Sequence, residues 1–238
     1  MSDSQQPSKG KVIAAIPCFN TERFIGNVVS QTVKYVDQVI VIDDGSTDNT
    51  VEIARTAGAV VISHGMNKGY GEAIKSCLEA GRTNAASILV TLDGDGQHNP
   101  DQIPALLVPI RQGDADMVIG SRFLNDEVKI PAYRRFGIQV ITFLFNVGSH
   151  AKVSDAQSGF RAYSQKALGS IWTTEAGMSI SVETIIKARK AGLRIKEVPI
   201  SCQYHRQSST KNPMVHGLSV ALAVIRLRLK AHSDKATA

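Results

Sequence analysis

The chain has little cysteine, few aromatic residues and no long hydrophobic run, and each shortage removes a class of protein. Three cysteines in 238 residues, Cys18, Cys77 and Cys202, are odd in number and widely spaced. They match neither a disulfide framework nor a zinc or redox spacing, so free thiols in a reducing cytoplasm are the default. No window reaches the roughly 18–20 apolar residues of a spanning helix, and Met1 to Gly10 lacks the apolar centre of a signal peptide. Aromatics are 5% of the chain. Outside residues 203–211 they are not interleaved with basic residues and no nucleic-acid module appears, which argues against nucleic acid as a partner. No glycine-rich phosphate cradle of the G-x-G-x-x-G or G-x-x-x-x-G-K type follows any apolar run, so neither a Rossmann dinucleotide site nor a P-loop is supported.

What is present is an ordinary globular composition, 43% hydrophobic and 20% charged, long enough for one large α/β domain or two small ones. The net charge of +6 favours anionic partners such as nucleotides or lipid headgroups. Short apolar runs alternate with segments of helical spacing: strands at 12–16, 38–42, 59–63, 88–92 and 116–120, helices at 21–35, 49–57, 68–80 and 100–112. That alternation predicts crossover units and a parallel sheet, and ligands of such sheets bind outside the carboxyl ends of the strands.

The strand ends are polar and distinctive: Pro17 with Asn20, Asp43-Asp44, Asp93 with Asp95, and Ser121-Arg122. Their convergence on one edge marks a site. In Asp93-Gly94-Asp95-Gly96-Gln97-His98, two carboxylates one residue apart suit a hard divalent cation shared with phosphate oxygens, with Gln97 adding a neutral oxygen. Asp43 and Asp44 suit hydrogen bonds from a base or ribose. Arg122, Arg134, Arg135, Arg206 and Lys211 can meet phosphate charge, the arginines as forks and the lysine as a point charge. His98 reads as a residue that closes the turn.

The second half loses the rhythm. The helix expected over 132–147 is apolar around most of its circumference. It fits a buried core helix, a homodimer contact, or a helix lying in a membrane interface. Ser154 to Ser164 is small and polar around Gly159, and carries no element in this reading. A helix over 182–191 holds Glu183, a half-exposed strand follows at 193–200, and a basic loop runs from 201 to 212. A cationic, partly apolar helix is expected over 213–230, suited to a solvated face or to anionic lipid.

Together, Val41-Ile42-Asp43-Asp44-Gly45-Ser46-x-Asp48-x-Thr50, Leu92 to His98, Gly120-Ser121-Arg122 and Ser158-Gly159-Phe160-Arg161 resemble family 2 glycosyltransferases. The closest subgroup is the dolichyl-phosphate mannose synthases and related polyprenyl-phosphate sugar synthases. The resemblance implies a single-domain GT-A fold over 11–212, Rossmann-like, with a mostly parallel central sheet flanked by helices. Residues 11–122 would form the nucleotide-sugar half and 123–212 the acceptor half, with a flexible tail at 1–10 and a basic amphipathic helix and tail at 213–238. By resemblance, Pro17 and Phe19 flank the nucleotide, and Ile42 and Asp44 contact base and ribose. Asp93, Gly94 and Asp95 hold ribose and diphosphate, with Asp95 and Gln97 ligating Mg2+ or Mn2+, and Asp93 counted with them. Arg122 contacts donor or acceptor phosphate, Arg134 or Arg135 with Ser158 the acceptor phosphate, and Arg206 and Lys211 belong to a loop that closes over the donor. Thr21 stands where the subgroup has glutamate, with Glu22 one place later.

The expected activity is inverting, metal-dependent transfer from a GDP- or UDP-sugar to a polyprenyl phosphate. It would occur at the cytosolic face of a membrane, by a cytoplasmic protein held peripherally through helix 132–147 and the last helix. A phosphate acceptor is already anionic and needs no general base. A soluble or polysaccharide hydroxyl would need a carboxylate base, for which Glu183 stands first and Asp155 second. A non-catalytic sugar-nucleotide-binding protein is the remaining reading.

Overall fold

The computed structural model describes residues 10–124, 132–147 and 152–204. Seven strands form one sheet: β1 Val12–Cys18, β2 Gln38–Asp43, β3 Val60–Ser63, β4 Ile88–Thr91, β5 Met117–Ser121, β6 Arg161–Ser164 and β7 Ile195–Pro199, in the order β3-β2-β1-β4-β6-β5-β7. All neighbouring pairs are parallel except those of β6, which runs antiparallel between β4 and β5. Among the described residues the seven α-helices are α1 Glu22–Thr32, α2 Thr50–Thr56, α3 Tyr70–Thr83, α4 Ile103–Arg111, α5 Ala132–Asn146, α6 Gln165–Ser170 and α7 Ser179–Lys190.

Strands β1, β2 and β4 are largely apolar because both faces are covered, and successive residues point to opposite sides. Ile13, Ala15, Ile40, Ile42, Leu89 and Met117 join one core with residues of α3, α5, α6 and α7. Val12, Ala14, Ile16, Val39, Val41 and Val90 join the other with residues of α1, α2 and α4. At the end of α2 Gly58 takes φ +101°, a conformation that favours glycine and ends the helix.

The mostly parallel, helix-flanked sheet matches expectation, but the polar stretch at 154–164 hides a strand and leads into a helix. Arg161–Ser164 completes the sheet between β4 and β5, with Tyr163 in the first core and Ala162 in the second. Ser164 then caps α6, its Oγ accepting from Ala167 N at 3.2 Å. The signal is hidden because β6 opens on an arginine. Arg161 is fully enclosed and donates to the carbonyls of Ser158, Ser181 and Ala156 and to Thr184 Oγ1. Glu183 also sits deeper than expected, since α7 begins at Ser179 rather than at Val182.

Candidate active site

The Asp93–His98 turn leaves the end of β4 and is held from several sides. Asp93 N donates to His98 Nδ1 at 3.2 Å, and the His98 ring packs on Phe160 at 5.2 Å. Burial drives the imidazole pKa down to about 4, so a neutral ring accepts that bond and closes the turn. Gly94 N donates to Pro17 O at 3.2 Å, and a Cβ on Gly94 would come within 3.0 Å of Cys18 Cβ. Gly94 therefore packs closely on β1, where an added methyl would need the Cys18 and Ile25 side chains to give way. Gly96, at φ +74°, lies against the Phe24 ring of α1.

Asp93 and Asp95 face a shortage of compensating charge. Burial raises the Asp93 pKa to about 6, although Arg122, the Tyr70 hydroxyl and Arg161 all pull it down. Asp95 is also raised, by burial first and then by the Asp93 charge. Gln97 sends its amide nitrogen to Asp95 Oδ2 and its backbone N to Asp95 Oδ1 at 3.1 Å. A half-turn of that amide presents its oxygen instead. Among the described residues no group of three His, Cys, Asp or Glu gathers as a metal site. Two carboxylates and one amide oxygen, under-neutralised, are nonetheless a donor set that fits Mg2+ or Mn2+ with positions left for diphosphate oxygens.

The Asp93 carboxylate rests against Gly159. A Cβ there would lie 2.9 Å from Tyr70 Oη and 3.0 Å from Asp93 Oδ2, while Tyr70 Oη donates to Asp93 Oδ1 at 3.4 Å. These are side-chain ends that can move, so Gly159→Ala should leave the melting temperature within a few degrees yet displace Asp93. The expected result is a roughly tenfold loss of Mn2+ affinity in calorimetry. Unchanged affinity would refute the cradle.

At the ends of β1 and β2 the motif residues staple two loops together. Ser46 Oγ accepts from Asn20 N at 2.9 Å, Thr50 Oγ1 from Thr21 N at 2.7 Å, and Asp48 Oδ2 from Glu22 N at 3.2 Å. Glu22 answers by accepting from Asn49 N at 3.0 Å, so the acid one place later than the family pattern serves this staple. Asp43 accepts from Ser46 N and Ser63 Oγ, at 3.0 and 2.7 Å. Asp44 accepts from Lys68 N and Gly69 N at 2.9 and 2.8 Å and pairs with His64 Nδ1 at 2.9 Å. Both carboxylates are buried and work chiefly on the chain's own loops, a role the sequence reading missed along with His64. Ile42 lies wholly in the core and Pro17 is buried in β1, so neither lends side-chain surface to a ligand in this conformation. Phe19, 43% exposed, does.

On the far side Arg122 forms a two-pronged ion pair with Asp155, Nε to Oδ2 at 2.7 Å and Nη2 to Oδ1 at 2.8 Å. Its Nη1 turns to Tyr204 Oη at 3.4 Å. The arginine holds the Asp155 carboxyl below the usual range in spite of burial, and Asp155 is therefore committed and not a free base. Glu197 of β7 fixes the same loop, accepting from Ser154 N at 2.7 Å and Asp155 N at 3.1 Å. Glu183 is also committed, accepting from Thr174 N and Glu175 N, which corrects its place as first candidate base. Ser158 is enclosed, its Oγ accepting from Phe160 N at 3.3 Å. Arg135 is exposed on α5. The segment 201–204 is tied to the acid turn, with Gln203 N donating to Gln97 O at 2.9 Å. Arg206, Lys211 and the helix expected at 213–230 lie outside the described residues, as does the Arg134 side chain.

This edge joins an acid pair, stapled loops and an ion-paired arginine, and the profile of glycosyl transferase family 2 matches residues 13–172. The chain belongs to glycosyl transferase family 2. A relative, the UDP-N-acetylglucosamine–dolichyl-phosphate N-acetylglucosaminyltransferase of Methanococcus voltae, is 32% identical over 90% of this chain and 94% of its own. The undecaprenyl-phosphate mannosyltransferase of Micrococcus luteus is 30% identical over 80% of this chain and 83% of its own. Among solved structures, glucosyl-3-phosphoglycerate synthase from Mycobacterium tuberculosis with Mn2+, uridine diphosphate and phosphoglyceric acid superposes with a TM-score of 0.73. It is 23% identical, over 94% of this chain and 78% of that one. That likeness carries the fold, GT-A, as the resemblance implied.

Proposed function

We propose that this family 2 glycosyltransferase moves one sugar from a nucleotide-diphosphate sugar (GDP- or UDP-linked) to a polyprenyl phosphate, with inversion, at the cytosolic face of a membrane. The observation that carries the acceptor class is the state of the two candidate bases. Glu183 and Asp155 are both buried and engaged by the chain's own donors. A hydroxyl acceptor would find neither free, whereas a phosphate monoester needs no base. Relatives acting on dolichyl and undecaprenyl phosphate support the same choice.

In this reading a phosphate oxygen of the acceptor attacks the anomeric carbon from the face opposite the diphosphate. The carbon–oxygen bond to the diphosphate breaks, and its electron pair leaves with the nucleoside diphosphate. Mg2+ or Mn2+ bound at Asp93, Asp95 and Gln97 would neutralise that developing charge. Arg122, held by Asp155, keeps Nη1 as the edge that can meet phosphate. The nucleotide lies against Phe19 and the stapled loops, whose backbone Asp43 and Asp44 fix.

The lipid side is α5. Ile138, Ile141 and Phe145 are buried, while Phe136, Val140, Phe143 and Val147 are exposed along the other side, the phenylalanines by 70% and 68%. Spacings of four, three and four residues put them in one stripe, with Arg135 exposed beside it. Among the described residues no helix can cross a membrane, so contact through this stripe is peripheral. The free thiols Cys18, Cys77 and Cys202 suit the reducing side. Phe136→Ser with Phe143→Ser should lower binding to anionic vesicles by about tenfold or more, since each buried ring contributes about 1.5–3 kcal/mol. Flotation that matches wild type would rule out the stripe.

The test is a panel of UDP- and GDP-sugars with polyprenyl phosphate, with and without Mn2+, reading which nucleoside diphosphate is released. Release that depends on lipid and metal is the expected result. Nucleotide binding without turnover would favour the non-catalytic reading.

A further inference from the structure

Between α6 and α7, residues 171–178 form a strap that climbs the flank of α3 towards the acid pair. At its low end the Arg82 guanidinium lies 4.1 Å over the Trp172 ring, and Arg82 Nε donates to Leu168 O at 2.8 Å. Midway, Lys75 Nζ donates to Thr174 O at 3.2 Å. At the top the backbones meet, and a Cβ on Gly71 would lie 2.6 Å from Gly177 N and 2.9 Å from Ala176 C. Gly71 adjoins Tyr70, whose hydroxyl reaches Asp93. The strap thus brings a solvent-open stretch, with Thr174, Ala176 and Gly177 exposed, to the margin of the site.

Glu183 sets the course of this stretch. Its Oε1 accepts from Thr174 N and Oγ1, both at 3.0 Å, and its Oε2 from Thr174 N at 2.9 Å and Glu175 N at 2.8 Å. The residue is 1% exposed. A carboxylate placed there only to favour the helix dipole would sit in solvent. This one is buried and reaches back eight and nine residues to backbone donors, and such charge-assisted bonds are the stronger kind.

We propose that Glu183 is a positioning residue that, through Thr174 and Glu175, holds the strap as the wall of the site that meets the transferred sugar. The inference rests on the donor reading above. The loops assigned to the nucleotide lie at the ends of β1 and β2, against α1. The strap lies on the opposite face, beyond Asp93 and Tyr70, where the group attached past the diphosphate arrives. In that placement a bare nucleoside diphosphate would stop short of the strap.

The experiment is calorimetry with Mn2+ on three pairs: UDP and UDP-glucose, UDP and UDP-N-acetylglucosamine, GDP and GDP-mannose. The proteins are wild type, Glu183→Ala, Glu183→Gln and Gly71→Ala, the last disturbing the strap without touching the carboxylate. For a pair that wild type binds, Glu183→Ala and Gly71→Ala should weaken the nucleotide sugar by about tenfold and the free diphosphate by less than about twofold. Glu183→Gln, whose carbonyl still accepts from Thr174, should recover most of the loss. Equal losses for both members of a pair, or none in either variant, overturn the proposal. If wild type binds no pair, the donor reading fails and the sugar-wall role with it. Amide exchange then reads the anchor alone, and unchanged protection of Thr174 and Glu175 in Glu183→Ala would overturn that too.

Discussion

Asp95→Asn is expected to lower kcat/KM by about a thousandfold, at the upper end of what losing one stabilising group for a developing anion does. The substitution is nearly isosteric, and its first consequence falls on charge. An amide at this position removes one of the two anions at the end of β4, and the chain supplies no third acid nearby among the described residues. Asp93 stays behind with a pKa that burial alone raises. The sign follows directly. A carboxylate whose folded pKa lies above its unfolded value favours folding when protonated, so ionised Asp93 costs stability at neutral pH and acid relieves it. A divalent cation relieves the same strain from the other direction. In the wild type, Mn2+ affinity should therefore be flat above pH 7 and fall below about pH 6, by about tenfold per unit where one proton competes with the ion. Calorimetry from pH 5 to 8 checks this, and affinity independent of pH would remove Asp93 from the metal site. Full turnover in Asp95→Asn would remove Asp95.

Much of the site was legible because acids at the ends of short apolar runs have few structural uses in a parallel sheet. The alternation of β1 to β5 with their helices follows from spacing alone, and it brings Asp93, Asp95 and Arg122 to one edge. Less legible was which acids face a ligand. Asp43, Asp44, Asp48 and Glu22 share one cluster of loops, and all four hold backbone amides within it. Sequence cannot separate an acid that binds substrate from one that binds its own chain, since both accept from N–H groups. The same ambiguity hid Glu183 and Asp155. β6 escaped because four residues beginning with arginine carry no period, and its place depends on the antiparallel gap that β4 and β5 leave. Tyr70 has no local signal as part of the cradle of Asp93, and the Ser158-Gly159-Phe160-Arg161 motif does not say what Gly159 rests against. The two come from separate segments and meet only after the sheet is complete.

Arg122→Met carries the largest expected effect on stability, about 3–5 kcal/mol, because it strands a fully enclosed carboxylate. Asp155 would lose its cation while Glu197 stays nearby, and in a chain of this size the melting temperature should fall by about 10 °C. The pH dependence identifies the cause. Asp155 has a folded pKa below its unfolded one, so its contribution is present above the unfolded value and is lost as pH falls through the folded value. In Arg122→Met the carboxyl can protonate early, so the gap to wild type should be widest near pH 7 and narrow on acidification. A gap that stays constant down to about pH 4, near the ordinary carboxylate value, would locate the damage elsewhere. Adding Asp155→Leu should then restore most of the lost stability, since replacing a buried ion pair by apolar groups is often neutral. It should not restore turnover, because Nη1 of Arg122 is the proposed contact to phosphate. A double variant as active as wild type would reduce Arg122 to a fold-holding residue. A stable, inactive one would separate its two tasks, the ion pair that anchors the loop at Asp155 and the remaining guanidinium edge that meets the anion.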